Sequence, residues 1–137
     1  MKYLKSSLLA ISLIFSQGAF AHSDEYLDTQ TASHGGQLRM AGIYHYELVV
    51  KDNEVTVYLT DHAAAKLASQ GATGTATVLS GKTRTTVKLA PAKENVLKGS
   101  GKFATAADMK VVVSVTMPGQ PAQVARFTPL ATPNSQK

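Results

Sequence analysis

The sequence predicts an all-β protein, an antiparallel immunoglobulin-like β-sandwich of about seven strands. Three observations predict it. Apolar and polar residues alternate strictly over short runs, turn-forming clusters recur every ~8–12 residues, and only one short stretch after residue 21 reads as helix. A small barrel would show the same pattern and is the second architecture. With 137 residues the chain holds one domain, and 44% apolar content is enough for a core.

The first 21 residues read as a secretory signal peptide. Lys2 and Lys5 give a basic start, Leu8 to Phe15 is a short apolar run, and Ala19-Phe20-Ala21 fits small-x-small cleavage. The mature chain then begins at His22, and losing Lys2 and Lys5 lowers the formal charge from +5 to +3. Export points to the periplasm, with no stable membrane insertion after signal cleavage. Residues 22–33, with Asp24, Glu25 and Asp28, read as a flexible, extended N-terminal arm. The domain runs over 34–128 and a loose tail over 129–137.

Within the domain, His34-Gly35-Gly36 forms a hinge or turn before the first strand. Tyr44, Tyr46, Leu48 and Val50 alternate with His45, Glu47 and Val49. Val55, Val57 and Leu59 alternate with Thr56, Tyr58 and Thr60. Lys51-Asp52-Asn53-Glu54 joins these two runs as a hairpin. Ala63 to Ser69 is Ala-rich and predicts one short helix. Residues 74–80 and 82–89 form a second hairpin over Ser80-Gly81-Lys82. A short strand follows within 97–103, a β-branched strand over 110–117, a turn at Pro118-Gly119-Gln120-Pro121, and a last strand over 123–128.

Composition excludes several function classes. With no Cys, thiolate metal sites, iron–sulfur clusters and Cys nucleophiles are impossible. The basic residues are scattered singly without an aromatic stripe, so no nucleic-acid footprint is present. No Gly-x-Ser-x-Gly elbow, His-Glu-x-x-His helix or close carboxylate pair supports an enzyme.

What remains is imidazole chemistry. His22, His34, His45 and His62 all fall in the first third of the mature chain. Imidazole is the commonest metal-ligating side chain. His22, if terminal, offers an α-amino group and a ring nitrogen that together suit Cu(II). His45 and Glu47, two apart on a strand, share one face and make a half-site for a divalent transition metal, or an ordinary surface pair facing water or a pocket rim. His34 precedes two glycines and is either a loop-borne ligand or part of a turn. Asp61 and His62 close the hairpin, and His62 is either a ligand or a capping-region residue. Placing residue 45 near residue 59 allows contact between His45 and His62 only through a bend.

Three segments carry a resemblance: His34-Gly35-Gly36-Gln37-Leu38, Ala41-Gly42-Ile43-Tyr44-His45-Tyr46-Glu47-Leu48-Val49, and Val57-Tyr58-Leu59-Thr60-Asp61-His62. With loosely spaced Gly71, Gly74 and Gly81, and with Ala125 and Phe127, they make the chain similar to a small periplasmic domain of heavy-metal resistance systems. A segment like it occurs in the periplasmic adaptor subunits of metal-efflux resistance–nodulation–division pumps. The resemblance covers most of 34–128 and implies a β-sandwich that handles a transition metal near an efflux pump. It also supports a metal role at His34, His45, Glu47 and His62. The coiled-coil, lipoyl-like and barrel domains of the adaptors are absent from this sequence.

The expectation is therefore a periplasmic accessory protein binding copper or zinc through histidines among His22, His34, His45 and His62, with oxygen from Glu47 or Asp61. Its partners would be the metal ion and a metal-efflux pump component. Such binding should weaken below about pH 6, because imidazole protonates near ~6.5. The alternative is a metal-free periplasmic interaction module that pairs an exposed sheet edge with a partner strand.

Overall fold

A computed structural model describes residues 23–131, so the signal segment, His22 and positions 132–137 lie outside the described residues. One short helix, α1 (Asp24–Asp28), precedes eight strands: β1 (Gln37–Ala41), β2 (Tyr44–Lys51), β3 (Glu54–Asp61), β4 (Thr73–Ser80), β5 (Thr83–Pro91), β6 (Val96–Ser100), β7 (Lys110–Thr116) and β8 (Gln123–Phe127). The all-β, antiparallel class is as the alternation indicates. Among the described residues the strands number eight and join in one sheet, in the order β1-β2-β3-β6-β5-β4-β7-β8.

The sheet curls until its first and last strands meet. The Thr128 N–H donates to Gln37 Oε1 at 2.8 Å, and Gln37 Nε2 donates to Thr128 Oγ1 at 3.4 Å. The Tyr46 hydroxyl crosses from β2 to donate to the Gln123 carbonyl at 3.3 Å. The result is close to a barrel.

Three hairpins have two-residue loops, set by the pairs Ala41↔Tyr44, Lys51↔Glu54 and Ser80↔Thr83. In each, the first loop residue takes a positive φ: Gly42 at 60°, Asp52 at 54° and Gly81 at 57°. That is the pattern of a type II′ turn, whose twist matches the flanking strands.

The core lies inside the curl. Tyr46 and Leu48 on β2, Val55, Val57 and Leu59 on β3, Val78 on β4, Val87 and Leu89 on β5, and Val111, Val113 and Val115 on β7 are all buried. Their period of two leaves the intervening residues on the outer face.

Three local expectations are corrected. The arm is helical at Asp24–Asp28 rather than extended, because the Ser23 hydroxyl accepts from the Tyr26 N–H and Asp24 and Glu25 occupy the positive first turn. Residues 63–69 form no helix. Their N–H groups are drawn elsewhere, Leu67 N to the Leu59 carbonyl and Ser69 N to the Glu94 carbonyl, and Thr60 bridges Lys66. The eighth strand is β1 at Gln37–Ala41, a segment the alternation assigns to no element.

Helix α1 is strapped to β1. Arg39 Nη1 donates to Asp28 Oδ1 at 2.6 Å, and the Met40 N–H donates to Asp24 Oδ1 at 3.0 Å. Leu27 is buried beneath it.

Candidate functional site

The site lies on the outer face of β2 and β3. His45 and Glu47 point away from the core, as their spacing predicts, but they do not face water. Segment 23–36 covers them, and they are 7% and 4% exposed. Charged and polar groups at that depth require partners.

Glu47 has three. Its Oε2 accepts from the backbone N–H of His34 and of Gly36, both at 2.9 Å, and its Oε1 lies 2.8 Å from His34 Nδ1. The His-Gly-Gly motif makes this possible. Gly35 takes φ 71°, which turns the two flanking N–H groups onto one oxygen. Gly36 has no room for a Cβ, which would strike the Leu48 carbonyl and the Val49 side chain. With Glu47 as the carboxylate acceptor, His34 Nδ1 carries the hydrogen and Nε2 keeps the lone pair. The His34 ring also stacks on Tyr58, with centroids 3.6 Å apart and planes within 5°. Tyr58 stands directly opposite Glu47 in the register.

His45 and His62 meet a short distance away. His45 pairs with Thr60, not residue 59, and this one-residue difference puts His45 and His62 on the same face. Their rings stack at 4.7 Å, and Nε2 of each is shut off from solvent. The bend that sequence reasoning required is therefore unnecessary.

His34, His45, Glu47, Tyr58 and His62 line one pocket of about 600 Å³, with Leu27 and Leu38 among its apolar walls. The structure thus gathers four of the six expected site residues. Asp61 is not among the pocket's walls. Its Oδ1 accepts from the Ala63 and Ala65 N–H groups, both at 2.9 Å, and builds the turn after β3. His22 lies outside the described residues. Among the described residues no three His, Asp or Glu side chains converge tightly enough to hold a metal ion. What is preformed is a pair of imidazoles and a third, carboxylate-oriented one on the same pocket.

Sequence reasoning missed Tyr58 and the covering Tyr26 and Leu27. The signal for Tyr58 was present, since Val57 and Leu59 inward force Tyr58 outward beside Glu47. Asn95 was missed too. It is buried at the end of β3, where Nδ2 donates to the Leu59 carbonyl at 3.0 Å and its own carbonyl accepts from the Leu59 N–H.

No family model matches the chain, and no curated protein or solved structure matches it.

Proposed function

We propose that the protein is a periplasmic transition-metal-binding accessory protein, a buffer, chaperone or efflux-associated carrier for copper or zinc. One observation carries this reading: three of the four histidines, far apart in sequence, line a single pocket. The Glu47–His34 contact adds support. Ligating histidines commonly give their second ring hydrogen to a carboxylate, which fixes the tautomer and raises basicity at the other nitrogen. Neutral imidazole nitrogen suits Cu(II) and Zn(II). His45 and His62 would supply the first two nitrogens, and His34 would supply the third by a movement of the covering loop. Export and the pump connection rest on the Lys2–Ala21 segment and on the resemblance of residues 34–128.

An immunoglobulin-like reading of the curled sheet rests on the strand alternation and the turn spacing of the sequence. The interaction-module alternative draws less support. The edge it needs at β1 is engaged by Asp24 and lies beside β8.

Calorimetric titration of Cu(II) and Zn(II) into the protein tests the proposal. One stoichiometric site is expected, weakened at least tenfold in His45→Ala and in His62→Ala. No binding by either metal, or binding indifferent to His34, His45 and His62 substitutions, would reject it.

A further inference from the structure

Four of the cations scattered along the sequence share one face of the sheet. On the outer face of β8-β7-β4-β5, the register sets Lys110, Leu79 and Arg84 in one row. Arg126, Val112, Thr77 and Thr86 make the next, and Val124, Ser114, Thr75 and Lys88 the third. Four cations therefore frame a field of Thr, Ser and aliphatic side chains, and no carboxylate stands in these rows. Leu79 and Val124, two of the few large apolar side chains exposed to solvent, are both here.

Lys51, Lys82, Lys93 and Lys102 lie singly at strand ends and in loops, and three further cations are neutralised. Arg39 is paired with Asp28, Lys66 with Glu94 and Lys98 with Glu54. Among the described residues Arg84, Lys88, Lys110 and Arg126 have no carboxylate within ion-pair distance. None of its side chains lines the histidine pocket. Unpaired positive charge interleaved with exposed aliphatic side chains on a broad surface suits the interface of an anionic bilayer. There, phosphates attract the cations and the aliphatic groups settle among the headgroups.

We propose that this face docks the protein peripherally on anionic lipid, leaving the histidine pocket on β2 and β3 turned away from the membrane.

Co-sedimentation with vesicles tests this. The protein should pellet with phosphatidylcholine:phosphatidylglycerol 7:3 vesicles at low salt, stay in the supernatant with pure phosphatidylcholine, and be released by high salt. Each cation contributes about 1 kcal/mol at such a surface, so Arg84→Gln combined with Lys88→Gln should weaken partitioning about 30-fold. Lys66→Gln combined with Lys98→Gln, on paired cations, should leave it unchanged. Both pairs are exposed, and circular dichroism would confirm that each variant folds. No sedimentation with the anionic vesicles, equal sedimentation with both vesicle types, or equal loss in the two double variants would overturn the proposal. Retention on immobilised polyglutamate without vesicle binding would also overturn it, and would point instead to an acidic protein surface.

Discussion

Replacing Glu47 tests the physical account of the pocket most directly. The carboxylate accepts from two backbone N–H groups at 2.9 Å and lies 2.8 Å from His34 Nδ1. Hydrogen bonds to a charged group contribute about 1.5–3 kcal/mol each. Taking the lower end for all three gives about 4–5 kcal/mol. His34 borders solvent, so water can replace part of this, and Glu47→Ala should cost about 3 kcal/mol. For a domain of this size that is a fall in Tm of roughly 10–15 °C. Glu47→Gln discriminates further. If its amide oxygen keeps the two backbone donors, its NH2 faces His34 Nδ1, which must then accept and move its hydrogen to Nε2. The loop would stay near its place at a cost of about 1–2 kcal/mol, while the Nε2 lone pair is lost. Urea unfolding gives the energies, and the imidazole nitrogen shifts of His34 give the tautomer. An alanine variant within about 0.5 kcal/mol of the parent, or a His34 tautomer unchanged in Glu47→Gln, would refute the reasoning.

Two other outcomes follow from the packing. Burial raises the Tyr46 phenol well above its usual value near 10, with Tyr44 adding to the effect. A native group with a raised pKa stabilises fully below the unfolded pKa, and this is lost as pH rises toward the native one. Stability should therefore fall above about pH 10, and Tyr46→Phe should shift the alkaline unfolding midpoint upward; an unmoved midpoint would contradict the assignment. Leu27→Ala should cost about 2–3 kcal/mol in global stability, because α1 is packed onto β1 and the pocket. If hydrogen exchange showed only residues 24–36 loosened, with the rest of the domain as stable as before, the strap would be an appendage rather than part of the cooperative unit.

The strands from residue 44 onward were legible because each alternates against one core. β1 was not, for a specific reason. Arg39 stands opposite Tyr46 and is 7% exposed, where an inward-facing pattern calls for an apolar residue. Its charge is answered by Asp28 from α1, a tertiary pairing with no local signature. The Ala-rich stretch at 63–69 failed the other way, since its helix propensity lost to hydrogen bonds offered by β3 and the Glu94 loop. At the site, the shared face of His45 and Glu47 was readable from a period of two. The meeting of His45 with His62 was not, because it depends on whether the Asp52-Asn53 loop holds two residues or three. The depth of Glu47 was also hidden. It comes from a covering segment whose only sequence trace is the pair of glycines after His34.

Charge is placed unevenly over the fold. Of the nine carboxylates, seven sit on α1, β2, β3 and the loop between these two strands, while Glu94 follows β5 and Asp108 precedes β7. The β8-β7-β4-β5 face, by contrast, holds Arg84, Lys88, Lys110 and Arg126 with no ion-pair partner among the described residues. The field of those cations reaches about one Debye length, ~8 Å at physiological ionic strength, and draws an approaching anion to that face before any side chain touches it. The asymmetry acts on encounter, at a rate that falls as salt is added.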